Sequence, residues 1–94
     1  MRTLIWSNTF VRAFKRVIRK RPDLRKDIED TLRDLAKDPF APYLETHKLK
    51  GKLLGAWACS AGYDLRIIFE FVEDKGEKED AIFLIEIGTH DEVY

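Results

Sequence analysis

Two histidines, His47 and His90, are the side chains of this 94-residue chain best suited to move a proton near neutral pH. His47 lies in a loop-like stretch with Lys48, Lys50 and Lys52, and His90 follows an apolar run near the end of the chain. This combination suits cleavage of an RNA phosphodiester. RNA supplies its own nucleophile, the 2′-hydroxyl, so the protein need add only a base, an acid and positive charge at the phosphate.

Two further residues fit the same chemistry. Arg66 alternates with apolar neighbours, which predicts that it points to the other face of its strand. Tyr94 suits stacking on a base or donation of its hydroxyl. If the loop around His47 folds over the face that carries Arg66, then His47, Arg66 and His90 converge.

Each of these residues also has a purely structural interpretation. A histidine in a loop, such as His47, is more often an ordinary surface residue, and His90, beside Asp91 and Glu92, also fits an ordinary turn residue. Asp64 opens a strand and is able to cap the turn before it. Arg66 is able to pair with Glu70 instead of a phosphate.

The chain has few side chains that could bind a metal ion or act as a nucleophile. The single cysteine, Cys59, and the two histidines show no ligand spacing, so we expect neither a metal nor a cofactor. Cys59 lies among Ala and Trp, as a small core residue does, and Trp57 is expected to pack rather than to bind a base. One cysteine excludes an internal disulfide and favours a reducing cytoplasm.

Composition predicts one globular domain over residues 1–94, with 45% hydrophobic and 36% charged residues and no apolar window long enough for a membrane span. The net charge is zero but uneven. Residues 1–37 carry eleven Lys/Arg against five Asp/Glu, and residues 53–94 carry three against ten. A basic front half is able to bind phosphate in a neutral chain, although solvated helix faces explain the same pattern.

The stretch from Ala81 to Ile87 is predicted to be the strand around which the domain is built. It is apolar except for Glu86 and rich in β-branched and aromatic residues, which is typical of a strand buried on both faces in the middle of a sheet. Gly88 and Thr89 are expected to end it, so that His90 lies at its rim.

The front of the chain predicts a strand at Thr3–Trp6 and two helices. Ser7 is a suitable N-cap, and the Arg21-Pro22 pair separates the helices. Asp38-Pro39 ends the second helix. Apolar residues recur at helical spacing in both, at Phe10, Phe14, Val17 and Ile18, then at Leu24, Ile28, Leu32 and Leu35. Such a pair forms a hairpin that packs on one side of a sheet.

The remainder is predicted to be a long loop over 38–55 followed by strands at 55–60, 64–72 and from Ala81. The polar segment 73–80 joins the last two. The order is β-α-α-β-β-β, an α+β fold with an antiparallel sheet of about four strands. The last three strands form a meander, and the helical hairpin covers one face.

Three stretches together resemble the RelE/ParE toxin superfamily, and within it the YafQ-like branch of RelE-type mRNA interferases. They are HKLKG at 47–51 with Gly55 beyond it, DLRIIF at 64–69, and IGTHDEVY at 87–94. The resemblance extends over essentially the whole chain.

The resemblance implies a toxin of a type II toxin–antitoxin system that cleaves mRNA on the ribosome and leaves a 2′,3′-cyclic phosphate. A cognate antitoxin, expected to wrap the helices and sheet as an extended segment, would hold it inactive. His90 would lead proton transfer with His47 as its partner, and Asp64 would orient or tune them. By the same resemblance, Arg66 would stabilise the charge on the phosphate, and Tyr94 matches the terminal aromatic residue of the family. The side chains that would contact the RNA backbone are Lys48, Lys50 and Lys52.

Two features depart from the family pattern. Ser60 stands where related enzymes can carry a further histidine, and the chain is neutral where relatives are usually basic. Two other functions therefore stay open: a non-catalytic, ParE-like inhibitor of DNA gyrase, and an attenuated relative that only binds its antitoxin. The two histidines argue against the first, because gyrase binding needs no pair of groups that titrate near neutrality.

Overall fold

A computed structural model describes residues 1–62 and 64–94. Within them the order is β1 (Leu4–Trp6), α1 (Asn8–Lys20), α2 (Arg25–Lys37), β2 (His47–Lys48), β3 (Trp57–Ala61), β4 (Leu65–Val72), β5 (Ala81–Thr89) and α3 (His90–Val93). Short 3-10 turns occur at Pro22–Leu24, Pro42–Leu44 and Gly51–Leu53. The α+β class and the order of the main elements are confirmed.

The strands form one sheet in the order β1-β5-β4-β3-β2. The predicted antiparallel meander is present as β3-β4-β5. Two details of the prediction are wrong. The sheet has five strands, because the loop predicted over 38–55 contributes the two-residue strand β2, which is too short to show an alternating pattern. In addition, the sheet is not antiparallel throughout, because β1 runs parallel to β5. The meander determines the direction of β5, and no short connection links β5 to β1.

The helices begin and end where local chemistry directs them. Ser7 caps α1 by accepting a hydrogen bond from the backbone N–H of Phe10 at 3.0 Å. The helix stops before Pro22, as the Arg21-Pro22 pair predicted, and Pro22–Leu24 forms a 3-10 turn between the two helices. The second helix ends before Asp38 as predicted. No helix in the described residues is both long and apolar enough to cross a membrane.

The main core lies between the helical hairpin and one face of the sheet. Ile67 and Phe69 of β4 are fully buried there against Phe10 of α1 and Ile28 of α2. The predicted alternation of β4 is confirmed, since Leu65 and Phe71 also belong to this cluster while Arg66 does not. Both helical stripes therefore cover the same side of the sheet.

The opposite side, which we call the open face, carries a smaller apolar cluster built on Ala58 and Ile68. Strand β5 is consequently buried on one face only, since Phe83 and Ile85 are half-buried. The prediction of burial on both faces was wrong, because in residues 1–62 and 64–94 the helical hairpin covers only the other side and the short helix α3 covers only part of this one. A register shift opposite Ile68 and Phe69 accommodates the extra residue in β5.

Candidate functional site

The C-terminal helix α3 positions His90 and was not predicted. Strand β5 continues through Gly88 and Thr89 instead of ending before them, and the chain then turns directly into α3. Thr89 Oγ accepts a hydrogen bond from the backbone N–H of Glu92 at 3.3 Å, and Glu92 Oε1 accepts one from the N–H of Thr89 at 2.8 Å. This reciprocal pair is a capping box. Its sequence signal, Thr followed three residues later by Glu, was visible and was missed.

Glycine at position 88 lets α3 fold back closely on β5. A Cβ there would lie 3.1 Å from both Glu92 Oε1 and Val93 Cγ1, so those two side chains would have to move by a few tenths of an ångström to admit a larger residue. Hydrogen bonds from Thr89 lower the pKa of Glu92 below its usual value. The cations Lys20 and Arg16 of α1 add smaller effects in the same direction. The ionised carboxylate is therefore the form that holds α3 in place.

His90, Tyr94 and Arg66 form one group at this end of the sheet. The rings of His90 and Tyr94 are both exposed and meet edge to face, with 4.4 Å between their centroids. Partial burial raises the pKa of Tyr94, and the positive charge of Arg66 acts in the opposite direction. Arg66 lies at the base of α3, because its backbone pairs with that of Gly88. Arg66 Nη1 donates to the carbonyl of Leu65 at 3.0 Å and so does not pair with Glu70, the structural alternative considered for it.

His47 is held in a defined tautomer at the far edge of the sheet. Its Nδ1 lies 2.9 Å from the carbonyl oxygen of Glu45. A carbonyl only accepts, so Nδ1 carries the proton and Nε2 of the neutral ring keeps a free lone pair. The carboxylate of Glu45, a residue that was not predicted to matter, accepts a hydrogen bond from the hydroxyl of Ser60 at 3.1 Å. Nothing in the sequence spacing indicated this contact.

These residues lie along a continuous path across the open face. The backbone of Ser60 pairs with that of Arg66, which pairs in turn with Gly88 at the base of α3. The path therefore begins at His47 and ends at His90. We call it the open-face arc, and its members are His47, Glu45, Ser60, Arg66, Tyr94 and His90.

The two histidines occupy opposite ends of this arc. His47 lies in β2 and His90 follows β5, so three strand spacings separate their backbones, about 14 Å or more. His47 forms part of an edge strand instead of folding over the sheet. The structure brings His90, Tyr94 and Arg66 together, and it does not bring the two imidazoles into contact.

The three lysines near His47 face different ways. Lys48 pairs with Trp57 in the sheet, and its ammonium lies 5.4 Å from the centroid of that indole. Trp57 packs against the main core, so Lys48 is directed to the helix-covered side. Lys50 and Lys52 instead line a pocket with Tyr94. Only these two of the three lysines adjoin the open-face arc.

Asp64 lies at the same end of the sheet as His90, because the next residue, Leu65, pairs with Thr89. Its carboxylate lines a groove of about 820 Å³ between the end of α1 and α3. The groove holds three cations and three carboxylates: Arg16, Lys20, Arg21, Asp64, Glu86 and Glu92. Asp64 thus shares a groove with Arg16 and Lys20 of α1, and it lies at the opposite end of the open-face arc from His47.

Cys59 and Trp57 have the structural roles predicted for them. Cys59 is fully buried, and burial raises the pKa of its thiol to about 12, so the thiolate is not available near neutral pH. Trp57 packs edge to face on Phe40 and Phe71. Across residues 1–62 and 64–94, no group of three or more His, Cys, Asp or Glu side chains is arranged to hold a metal ion.

The exposed side of α1 forms a basic surface. This helix contains no acidic residue. Among the residues that the structure describes, the ion pairs within 4 Å involve α2 and Arg21, and none involves a cation of α1. The basic surface consists of Arg12, Lys15, Arg16, Arg19 and Lys20. A cluster of like charges without ion pairs favours a polyanionic partner.

Comparison with known proteins identifies the family. The sequence pattern of a family described as "Bacterial toxin of type II toxin-antitoxin system, YafQ" matches residues 2–94. The chain belongs to the YafQ family of toxins. The resemblance noted in the sequence is confirmed, and the GTH and HKLKG segments of this YafQ family member lie at the two ends of the open-face arc. No curated protein matches the chain.

Solved structures share the fold over the full length. A metal-bound toxin from Helicobacter pylori is 28% identical, with a TM-score of 0.77 and complete coverage of both chains. YafQ from E. coli strain BL21(DE3) is 16% identical, with a TM-score of 0.78 and coverage of 100% of this chain and 99% of the other. YafQ in the E. coli DinJ-YafQ toxin-antitoxin complex is 16% identical, with a TM-score of 0.75 and coverage of 99% and 97%.

Proposed function

We propose that this YafQ family member is a ribosome-dependent endoribonuclease that cleaves mRNA and is held inactive by a cognate antitoxin. The observation that carries the proposal is the open-face arc, which joins two histidines, an arginine and an exposed tyrosine on the side of the sheet that the helical hairpin leaves open. These are a base, an acid, a cation and a stacking ring, the groups that RNA cleavage by its own 2′-hydroxyl requires.

The proton steps follow from the histidine environments. Nε2 of His47 is unprotonated in the neutral ring and takes the proton of the 2′-hydroxyl. The 2′-oxygen then bonds to phosphorus as the bond from phosphorus to the 5′-oxygen breaks. His90, the leading proton-transfer residue, gives a proton to that leaving oxygen, which yields a 2′,3′-cyclic phosphate and a 5′-hydroxyl. Because the backbones of the two histidines are far apart, mRNA must lie along the arc between them.

Positive charge supports both catalysis and docking. Arg66, midway along the arc, stabilises charge that develops on the phosphate. Lys50 and Lys52 hold the adjoining RNA backbone, whereas Lys48 faces the other side of the sheet and contributes less. Asp64, at the His90 end, orients the chain around α3. The basic surface of α1 contacts ribosomal RNA phosphates.

The proposed protein partner is an antitoxin. The E. coli complex of DinJ with YafQ provides the precedent in a protein of the same fold. An extended segment that folds on binding is able to cover the helices and the open face together. Co-expression with the neighbouring reading frame should raise solubility and yield a stable complex, and a chain that never co-purifies with that product would contradict this part of the proposal.

Ribosomes programmed with a defined mRNA provide the test. Mapping of 5′ ends should reveal cuts within A-site codons that are absent without ribosomes. His90→Ala should lower the cleavage rate at least about tenfold, the lower part of the usual contribution of a general acid or base. Asp91→Ala is the matched control, since Asp91 is the exposed neighbour of His90 and lies outside the arc.

Lysine variants give a second control within the same assay. Lys50→Ala should weaken cleavage and Lys48→Ala should have a smaller effect, because Lys50 adjoins the arc and Lys48 faces the other side of the sheet. Intact mRNA together with gyrase-linked DNA breaks would instead indicate the ParE-like function. If His90→Ala cleaves mRNA as fast as the unmodified protein, His90 is not the leading proton-transfer residue. If the unmodified protein does not cleave mRNA at all, the remaining interpretation is a relative that only binds its antitoxin.

A further inference from the structure

Glu45 adopts a backbone conformation that its side chain disfavours. Its φ is 53° and its ψ is 38°, in the left-handed region, and it is the one non-glycine residue with positive φ among residues 1–62 and 64–94. Glycine adopts this region readily and asparagine or aspartate adopt it occasionally, but glutamate does so rarely. Strain of this kind persists only where surrounding contacts impose it, and it is concentrated at functional sites.

Backbone contacts on both sides of Glu45 impose this conformation. Its N–H donates to the carbonyl of Pro42 at 3.1 Å and ends the preceding 3-10 turn. The hydroxyl of Thr46 then donates to the carbonyl of Pro39. The next residue, His47, begins β2. Glu45 is therefore the residue at which the chain turns into the strand that carries His47.

The side chain of Glu45 is held by Ser60. The antiparallel register of β2 and β3, continued by two residues beyond His47, places Glu45 opposite Ser60. The hydroxyl of Ser60 donates to Glu45 Oε1 at 3.1 Å. Ser60 is half-buried in β3, and its backbone pairs with that of Arg66. This contact therefore fastens the turn at Glu45 to the middle of the sheet.

The backbone of Glu45 determines where the proton of His47 lies. The carbonyl oxygen of Glu45 is 2.9 Å from Nδ1 of His47, so the neutral ring carries its proton on that nitrogen. The direction of this carbonyl depends on the ψ angle of Glu45, so a change out of the left-handed conformation removes the bond. The carbonyl accepts from Nδ1 both before and after Nε2 takes up a proton, and it therefore holds the imidazole throughout a proton transfer.

We propose that Glu45 is a positioning residue for His47. Its carboxylate, held by Ser60, keeps the turn left-handed, and its carbonyl keeps Nε2 of His47 free to accept a proton. The use of Nε2 in RNA cleavage rests on the proposed endoribonuclease function, whereas the tautomer does not. Ser60 acts through Glu45 and Glu45 acts through His47, so neither needs to touch the substrate.

NMR of the whole chain at about pH 9, where imidazoles are neutral, measures the tautomer directly. The nitrogen-15 shifts of the His47 ring should show the proton on Nδ1, and a proton on Nε2 would overturn the proposal. Ser60→Ala should lower the ratio of the Nδ1–H to the Nε2–H tautomer at least about twofold, the lower end for loss of one hydrogen bond. Ser60→Thr keeps the hydroxyl and should not lower it.

Glu70→Ala is the matched control for loss of a carboxylate. Glu70 lies between Phe69 and Phe71 of the main core and therefore points to the same side of the sheet as Ser60. It is four positions along β4 from Arg66, the residue that pairs with Ser60. The tautomer ratio should not change in Glu70→Ala, and a change equal to that in Ser60→Ala would overturn the proposal.

Glycine at this turn separates the backbone from the side chain. Glu45→Gly removes the carboxylate but favours the left-handed conformation, so it should keep the Nδ1–H tautomer. Addition of Ser60→Ala to Glu45→Gly should then change nothing further. Glu45→Val should lower the tautomer ratio more than Ser60→Ala does, because a β-branched residue disfavours positive φ. An equal effect of Ser60→Ala with and without Glu45→Gly would contradict the positioning role.

Cleavage of ribosome-bound mRNA separates the failure of this proposal from the failure of the function. In Ser60→Ala, kcat should fall by the same factor as the fraction of the Nδ1–H tautomer, with KM unchanged and with recovery in Ser60→Thr, because only a free Nε2 accepts the proton. Loss of cleavage in Ser60→Ala with an unchanged tautomer would overturn the positioning role alone. The expected tautomer changes without cleavage by the unmodified protein would overturn the endoribonuclease and support Glu45 as the residue that orients His47.

Discussion

Replacing Thr89 by alanine should release α3 and separate the rings of His90 and Tyr94. The substitution removes the acceptor for the N–H of Glu92, and with it half of the capping box. Loss of an N-cap side chain costs about 1 kcal/mol, within a range of about 0.5–2 kcal/mol. A helix of four residues has little stability of its own, so a cost of this size lowers the ratio of formed to unformed α3 by roughly fivefold.

NMR measures this loss directly. The ring-current shift between His90 and Tyr94 should decrease in Thr89→Ala, and amide exchange at position 89 should accelerate. Thr89→Ser keeps the hydroxyl acceptor and should behave like the unmodified chain. Unchanged ring shifts and unchanged exchange in Thr89→Ala would refute the reasoning, because α3 would then be held by packing on Gly88 alone.

The same cap should make α3 sensitive to pH. The pKa of Glu92 is lowered by hydrogen bonds from Thr89, so its ionised form favours the folded state. That stabilisation is fully present above the pKa of Glu92 in the unfolded chain and disappears as the pH falls through its lowered pKa. The protection of the Thr89 amide, measured relative to its intrinsic exchange rate at each pH, should therefore decrease in acid. Glu92→Gln keeps an acceptor oxygen and should lose this acid dependence.

Three other predictions concern stability and reactivity. Ser7→Ala should lower the free energy of unfolding by about 1 kcal/mol in urea titrations, because the cap of α1 is lost, and Thr9→Ala, in the exposed first turn, should not lower it. An equal loss in both would contradict the cap. Ile67→Ala should cost about 2–5 kcal/mol in the same titrations, since Ile67 is fully buried, whereas Leu54→Ala should stay within about 0.5 kcal/mol. Cys59 should resist alkylation at pH 8 until urea unfolds the chain, because burial raises its pKa to about 12, and rapid labelling of the folded protein would show that the thiol is accessible.

The sequence predicted those elements that local chemistry dictates. The capped start of α1 at Ser7, the stop before Pro22 and the alternation along β4 all follow from interactions within a few residues. The C-terminal helix α3 belongs to the same class, because its capping box spans only Thr89 to Glu92. The Thr89–Glu92 spacing is enough to predict it, whereas the apolar run that precedes it indicates only a strand.

Other features depend on contacts that no local pattern encodes. Strand β2 has two residues and exists because β3 offers it a free edge. The tautomer of His47 depends on the carbonyl of Glu45, and the carboxylate of Glu45 reaches Ser60 fifteen residues away. The direction of Lys48 follows from its pairing with Trp57, which separates it from Lys50.

The sequence by itself determined which groups are available for chemistry, where the helices begin and end, and which strand face is apolar. These properties depend on residue type and on spacing along the chain. Only the tertiary structure decided that Arg66 and Tyr94 accompany His90, and that His47 stays at the opposite edge of the sheet. Those distances follow from strand order, which is determined by the packing of the whole sheet against the helices and leaves no mark on neighbouring residues.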